Sequence, residues 1–458
     1  MRSVFRSGLW CLVGLSSVLA AACGDDGTAG QGGNAGMSGS GNAGAGGGAA
    51  GAVAAGGTIA GTSPSSAGAG RGGTGGGGGG AAGGMGQPSG GAVGGGGAEQ
   101  DAGGAAGAGG ADPDAGGTAG AGGEGGEAAP SFAYVSTILG GLVALSRDGR
   151  GDLQNLEGSP VGQGHLSNVL VDHRKKFLYT LDADSHEISL YPLATDGKLP
   201  ANPVAKTEVA EQPFTAALDP SDHFLYVTSQ LEGVLSTFAV GADDGKLTAV
   251  GTPFDLEAVP AFVAVSPSGQ FLYVSQQFPS GIRGFSIDAQ DGSLDELDDS
   301  PFGAGDVFGG ALAFTPDGSF LYSTGSALNG FAAGADGALE LLSEEPFSED
   351  VGSDSYASNL AIDPQGKYLY VTQFLLTRHV SGFAIDADSG LLSSLGAPVT
   401  ARSPYSVAVD PSGLFVYASN DDETISGYRL KANGALQELS GSPFPFGGLQ
   451  PEMVFFQP

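Results

Sequence analysis

The chain has 458 residues, 85 of them glycine, and a formal net charge of −32. These totals combine two unlike parts, because 47 glycines lie in residues 24–130 and 36 in residues 131–458. A Gly/Ala-rich stretch with few large apolar side chains cannot offset its conformational entropy by burial, so one globular enzyme spanning the whole chain is excluded. Residues 131–458 hold 14 Lys and Arg against 41 Asp and Glu, which argues against nucleic acid and anionic lipid head groups as partners.

The first 22 residues have the pattern of an export signal. Two arginines precede an apolar stretch from Leu9 to Ala22, which is too short for a membrane-spanning helix. Three alanines then meet Cys23, and this arrangement resembles the bacterial lipoprotein signal, whose cysteine is acylated. The other cysteine, Cys11, lies inside the signal, so we expect Cys23 to be a lipid attachment site. A plain secretory signal that is cut nearby is the alternative.

Residues 23–130 are predicted to form a disordered tether behind the acylated cysteine. They carry no periodic apolar face, so neither helix nor strand is expected. A Gly-rich coil of this length spans roughly 55–60 Å, enough to hold a folded domain clear of a membrane. A glycine-rich fibre is the alternative, although no fixed short repeat is present. Gly24 stands where inner-membrane lipoproteins carry Asp, so we expect an exported protein of the bacterial cell envelope, at the outer membrane or cell surface.

Seven sequence repeats occupy residues 131–458. A tyrosine within an apolar block recurs every 45–49 residues. The tyrosines are Tyr134, Tyr179, Tyr226, Tyr273, Tyr322, Tyr370 and Tyr417. A proline near the end of each unit recurs with the same count, at Pro160, Pro203, Pro253, Pro301, Pro346, Pro398 and Pro443. Two independent markers with one count define seven structural units.

Each repeat predicts four antiparallel strands. In the last unit these are the apolar run 406–410, the buried run 414–419, the alternating run 424–430 and a short outer strand that begins at Leu436. Four strands every 47 residues or so predict an all-β, seven-bladed β-propeller. The C-terminal segment matches a first strand and Tyr134 lies in a second strand, so we expect the last strand to close the ring by pairing with the N-terminal blade. A β-solenoid and a string of separate modules are the alternatives, but solenoid coils are shorter and separate modules need no split repeat.

The repeat resembles a known family. The block (D/S/T)P(S/D/Q)GxFLYV(S/T) and its DG(K/S)L corner resemble the lactonase-type seven-bladed propellers, which include 6-phosphogluconolactonase-like proteins, and LYVTS at 225–229 resembles the YVTN-repeat surface proteins. This resemblance covers residues 131–458 and implies lactone chemistry by His, Arg and Glu around the central channel. In that family a His often follows the proline that starts the inner strand. The corresponding residues here are Phe214, Ala261 and Tyr405, with Ser167, Gly310, Ser358 and Glu452 in the other blades, and none is His or Arg.

Candidate catalytic residues come from loops expected at one mouth of the channel. His165 and His186 from one blade, with Glu211 from the next, would form a general-base group for attack of water on a lactone carbonyl. Arg402 would bind a substrate carboxylate. Further ligand-binding candidates are Gln212, Tyr356, Arg378, Gln450 and Glu452. For each of the four catalytic candidates, an ordinary solvated loop position is the alternative.

Two functions stay open. One is hydrolysis of a lactone or sugar-acid lactone at the channel mouth by an exported, lipid-anchored monomer. The other is binding of a small ligand, a surface protein or a glycan without turnover, which the missing His and Arg favour. No cofactor is expected. Ca²⁺ is the alternative, because the run 420–423 offers oxygen ligands, although it lacks the full spacing of a known calcium loop.

Overall fold

The computed structural model describes residues 131–303, 309–325, 327–343, 347, 355–375, 378–449 and 451–456. The predicted signal segment, the Cys23 anchor and the tether lie outside the described residues. Those that are described form β-strands and contain no helix, and hence none that could span a membrane.

Seven antiparallel sheets form a closed ring. We number them as blades 1 to 7 from Ser131, and each contains an inner, second, third and outer strand. Each inner strand packs against the inner strand of the next blade, and that of blade 7 packs against that of blade 1. The described residues therefore form a seven-bladed β-propeller of four-stranded blades, as predicted.

The strands of the blades are bounded as follows. In order from blade 1, the inner strands are Glu452–Phe456, Leu166–Val171, Pro213–Leu218, Pro260–Val265, Leu312–Phe314, Ser355–Ile362 and Pro404–Val409. The second strands are Ser131–Thr137, Phe177–Asp182, Phe224–Ser229, Phe271–Gln276, Phe320–Ser323, Tyr368–Leu375 and Phe415–Asn420. The third strands are Gly141–Arg147, Glu187–Pro192, Val234–Val240, Gly281–Ile287, Asn329–Ala333, His379–Ile385 and Thr424–Leu430. The outer strands are Leu153–Asn155, Ala205–Glu208, Leu247–Asp255, Leu294–Glu296, Leu339–Leu341, Leu392–Ser394 and Leu436–Glu438, and the short strands Val399–Thr400 and Phe444–Pro445 pair with the third strands of blades 6 and 7.

The ring closes through the last strand of the chain, as the sequence predicts. Val454 lies opposite Tyr134 in the antiparallel pairing of the inner and second strands of blade 1. A buried ion pair joins blade 1 to blade 7. Nε of Arg147 in blade 1 lies 3.4 Å from Oδ2 of Asp410 in blade 7, and we call this boundary between the two blades the seam. Both side chains are fully buried. Blade 1 is therefore completed by a strand from the C-terminal end of the chain, and this ion pair joins it to blade 7.

The repeated tyrosine locks each blade to the next one. Its hydroxyl donates to a glycine carbonyl oxygen in the hairpin between the third and outer strands of the following blade, at 2.7–3.4 Å. The seven pairs are Tyr134–Gly197, Tyr179–Gly245, Tyr226–Gly292, Tyr273–Gly337, Tyr322–Gly390, Tyr370–Gly434 and Tyr417–Gly151. The aromatic ring two residues before the tyrosine covers the same glycine; Cγ of Phe177, for example, lies 2.7 Å from where a Cβ on Gly245 would stand. We call each such set a tyrosine–glycine clamp.

Register in blade 1 differs from the sequence alignment by one residue. Val454 lies opposite Tyr134 as Ala408 lies opposite Tyr417, so Glu452 is equivalent to Ser406. The alignment of the prolines, which made Glu452 equivalent to Tyr405, is therefore wrong by one residue. The cause is the irregular pairing between Pro404 and Ser406, which places one extra residue after Pro404. Pro404 of blade 7 and Pro451 of blade 1 are therefore not equivalent positions relative to their inner strands.

Candidate active site in the central channel

The inner strands border the central channel of a propeller. The seven inner strands described above contain no Lys, Arg, His or Asp, and Glu452 is their single charged residue. Glu452 is half-buried in blade 1. Charged chemistry inside the channel wall therefore centres on this carboxyl group.

Glu452 belongs to a ring of seven equivalent positions, one in each blade. In each blade, one inner-strand residue pairs with the clamp tyrosine of the second strand. The equivalent position is the residue that lies two places before this partner in the sequence. From blade 1 to blade 7 these residues are Glu452, Asn168, Thr215, Phe262, Ala311, Asn359 and Ser406. We call them the channel ring. Polar side chains occupy blades 6, 7, 1, 2 and 3 in succession, and apolar side chains occupy blades 4 and 5.

Neighbouring blades position the Glu452 carboxyl group. The amide Nδ2 of Asn359 lies 3.5 Å from Oε1 of Glu452, so a group from blade 6 reaches across blade 7 to the carboxylate. The Ser419 hydroxyl donates to the Pro451 carbonyl oxygen at 2.7 Å and holds the backbone just before Glu452. Position and orientation are thus set by contacts from two other blades.

Burial shifts the acidity of Glu452. Removal of the carboxyl group from water raises its pKa to about 7, and the Ser406 hydroxyl opposes part of this rise because it stabilises the ionised form. A carboxyl group with this pKa exchanges a proton readily near neutral pH, which is the property of a general base or acid. Strongly perturbed carboxyl groups in clefts are also typical of functional sites.

A second amide flanks Glu452 on blade 2. Oδ1 of Asn168 accepts the backbone N–H of Ala216 at 3.4 Å, which leaves the NH₂ group of Asn168 as its donor. In the channel ring, Asn168 belongs to blade 2, next to Glu452, whereas Asn359 belongs to blade 6 and is separated from Glu452 by Ser406 of blade 7. The arrangement therefore provides one carboxyl base and two amide donors.

The predicted histidine group lies in the loops at the channel mouth. Nδ1 of His165 is 3.4 Å from Oδ1 of Asp184. The His186 carbonyl accepts the backbone N–H of Val209 at 3.0 Å, and Glu211 lies in the loop that leads to blade 3. Within the described ranges, no hydrogen bond or ion pair joins these three candidates to one another.

Arg402 lies in another part of the mouth. It occupies the loop before blade 7, three blades from the loop that carries Glu211, and its Nη1 is 3.6 Å from Oδ2 of Asp422. The acidic run 420–423 is thus partly engaged by a cation of the protein. Among the described residues, no three His, Cys, Asp or Glu side chains are grouped so that they could hold a metal ion.

The five ligand-binding candidates are dispersed. Gln212 is half-buried and Arg378 is exposed, and both have a left-handed backbone in loops at the mouth, with φ of 57° and 51°. Tyr356 lies in the inner strand of blade 6, where only its backbone is described, and Gln450 lies outside the described residues. Glu452 alone of the five is seen within the channel wall. Its neighbours Asn359, Ser406 and Asn168 were not singled out from the sequence, although exact register across the repeats would have aligned them with Glu452.

Fold and channel together define a seven-bladed propeller with one carboxyl group in its channel wall. The sequence model of the family described as "Lactonase, 7-bladed beta-propeller" matches residues 203–309 and 311–447, more than half of the chain. The protein belongs to this family.

Individual relatives agree with this assignment. A 6-phosphogluconolactonase from Sodalis glossinidius is 27% identical over 281 residues, which cover 59% of this chain and 82% of that protein. The structure of a periplasmic gluconolactonase from Pseudomonas aeruginosa matches with a TM-score of 0.59 and 19% identity, covering 72% of this chain and 99% of that one. A protein from Lactobacillus plantarum matches with a TM-score of 0.59 and 19% identity, over 72% and 100% of the two chains. At these identities the two structures establish the shared fold alone.

Proposed function

We propose that this protein hydrolyses a lactone in its central channel, with Glu452 as the general base. One observation carries the proposal: the single charged residue of the inner strands has a pKa raised to about 7 and lies within 3.5 Å of the Asn359 amide. Family membership supports the reaction class, and the curated relative is named for the hydrolysis of a lactone.

The reaction follows from this arrangement. The ionised Glu452 takes a proton from a water molecule, whose oxygen forms a bond to the lactone carbonyl carbon. The amides of Asn359 and Asn168 donate to the oxygen that becomes negative. The ring C–O bond then breaks, and its oxygen takes the proton back from Glu452. The product is an open hydroxy acid, which ionises and is repelled by the acidic domain.

Substitution of Glu452 tests the proposal. In the full chain, Glu452→Gln keeps the size of the side chain and removes the base, so kcat/KM toward lactones should fall about 10²–10⁴-fold. Glu340→Gln, on the exposed outer strand of blade 5, is the matched control and should leave the rate unchanged. The wild-type rate should rise with pH through a midpoint near 7, because only the ionised carboxylate acts. A Gln variant with the wild-type rate would refute the role of Glu452.

Binding without turnover is the second candidate. It is favoured by the separation of the four catalytic residues predicted from the sequence, which share no hydrogen bond or ion pair within the described ranges. Absence of turnover by the wild-type chain across neutral, acidic and aromatic lactones at high enzyme concentration would select this function.

We further propose that the protein is exported and anchored through acylated Cys23. The apolar segment before Cys23 and the glycine tract after it support this, and one structural relative is described as periplasmic. Labelled palmitate should be incorporated into the wild-type chain and lost in Cys23→Ser. Cys11→Ser, the control within the signal, should retain the label. Export of an unlabelled wild-type chain would instead support a plain secretory signal.

A further inference from the structure

We propose that the channel selects uncharged lactones that carry an apolar substituent and rejects phosphorylated sugar lactones. This inference rests on the proposed hydrolysis at Glu452 and specifies its substrate class. Three features of the channel support it: an aromatic wall, an apolar rim above that wall, and the distribution of cations.

The aromatic wall is formed by blades 3 and 4. The rings of Phe214 and Phe262 meet edge to face, with centroids 5.5 Å apart and an interplanar angle of 75°. Both side chains keep part of their surface exposed. Phe262 is the channel-ring residue of blade 4, three blades from Glu452 in blade 1, and Phe214 lies in blade 3, two blades from it; we infer that the pair faces Glu452 across the channel.

The apolar surface continues to the rim of the same two blades. Leu231 is 40% exposed and Phe278 is 50% exposed, in the loops that join the second and third strands of blades 3 and 4. These loops lie at the end of the propeller where the inner strands begin. Blades 3 and 4 therefore carry apolar side chains both at the mouth and on their inner strands, and apolar contact favours an alkyl or aryl substituent.

The distribution of charge excludes a phosphate group from the channel. No inner strand carries Lys or Arg, so a phosphate dianion would meet the Glu452 carboxylate with no cation in the wall to offset the loss of water. At the rim, Arg402 is paired with Asp422 and Arg378 is exposed to solvent. A substrate whose lactone ring lies at Glu452 and whose substituent lies on the aromatic wall fits both sides of the channel.

Two matched pairs of lactones test this selectivity in the full chain. We expect kcat/KM for δ-decalactone to exceed that for δ-valerolactone, which has the same ring without the pentyl group, by about tenfold or more. We expect 6-phosphoglucono-δ-lactone to react about tenfold or more slowly than glucono-δ-lactone because of like-charge repulsion. Phe262→Ala should remove most of the advantage of the pentyl group and leave δ-valerolactone unchanged. Phe214→Ala, on the neighbouring blade, serves as a second variant, and exposed Leu391→Ala in blade 6 as the control.

The outcomes separate this inference from the proposed function. Preference for the phosphorylated lactone, or equal effects of Phe262→Ala and Phe214→Ala on both alkyl lactones, would overturn the inference while leaving Glu452-dependent hydrolysis intact. If no lactone is hydrolysed, the proposed function fails, and calorimetry with the ketones 3-pentylcyclohexanone and cyclohexanone decides the selectivity. Tighter binding of the pentyl ketone that is lost in Phe262→Ala supports the apolar wall, and equal binding of the two ketones contradicts it.

Discussion

The tyrosine–glycine clamps and the channel ring are both sevenfold sets within one propeller, yet they differ in composition. Every clamp uses a tyrosine hydroxyl and a glycine carbonyl oxygen, including the clamp from Tyr417 to Gly151 that crosses the seam. The channel ring instead contains six residue types in seven positions, from Glu452 to Ala311. Repetition thus maintains the ring of blades, and departure from repetition produces the asymmetric site.

The difference has a physical reason. Neighbouring blades meet in the same way all around the ring, so the same tyrosine–glycine contact is used at all seven interfaces. The proposed substrate, a lactone, has one carbonyl group and one substituent, and a ring of seven identical side chains would hold it equally well in seven orientations. In the proposed reaction, a base in blade 1 and aromatic side chains in blades 3 and 4 would select a single orientation.

The largest expected effect is the loss of folding stability when a tyrosine–glycine clamp is disrupted by substitution of its glycine. Gly245 and Gly251 both have a left-handed backbone, with φ of 68° and 62°, but the ring of Phe177 covers Gly245 and nothing lies within 4 Å of a Cβ on Gly251. Alanine should cost about 1–2 kcal/mol at either position from the backbone. Gly245→Ala should cost about 1–3 kcal/mol more from overpacking against the ring.

Urea unfolding of the two variants measures this difference. Gly251→Ala is the matched control, since it shares the backbone conformation without the aromatic ring. Equal losses in the free energy of unfolding would show that the Phe177 ring moves aside freely, and that the covered glycine is not what locks blade 2 to blade 3.

The second expected effect is the loss of stability that Glu452, a charged residue of the channel ring, causes when it ionises. The pKa of Glu452 is about 7 in the folded protein against an ordinary value of 4.5. Below pH 4.5 the carboxyl group is neutral in both states, between pH 4.5 and 7 it ionises first in the unfolded chain, and above pH 7 the penalty is complete. Wild-type stability should therefore fall by on the order of 2–3 kcal/mol across this window.

Glu452→Gln removes this titration, so the variant should gain stability over the wild type as the pH rises from 4 to 8. Chemical unfolding of both chains at several pH values measures the gap, and effects of other titrating groups cancel in the comparison. A gap that is constant with pH would show that Glu452 ionises as easily in the channel as in the unfolded chain.

The fold could be predicted almost completely from the sequence because its signal is repeated. The tyrosines and the prolines, each occurring seven times, predicted seven blades, and the split first repeat predicted that the last strand pairs with the blade of Tyr134, where the structure places Val454. The role of those tyrosines was not predictable in the same way, since a hydroxyl that reaches the next blade leaves no local pattern in its own repeat.

The channel ring was harder to predict because it depends on register to within one residue. The irregular pairing after Pro404 moves every later side chain of that strand, so alignment on the prolines put Glu452 beside the wrong neighbours. The resemblance to lactonases also pointed to His and Arg as catalytic residues, and in this chain those residue types occur in the loops, whereas the described inner strands contain neither. The channel ring of the described structure contains amides, hydroxyls, one carboxyl group and two apolar side chains, and their relation to one another is defined only when the blades are assembled.

The smallest expected effect concerns Ser406, the residue of blade 7 equivalent to Glu452. Its hydroxyl lowers the pKa of Glu452, so Ser406→Ala should raise that pKa and move the acid limb of the kcat/KM profile to higher pH. The loss of rate should be visible at neutral pH and disappear at alkaline pH, where the carboxyl group is ionised in both proteins. Ser394→Ala, on the exposed outer strand of blade 6, should leave the profile unchanged. A rate lowered equally at every pH would mean that Ser406 acts through packing, and that the channel ring tunes Glu452 through burial and not through its hydroxyl neighbour.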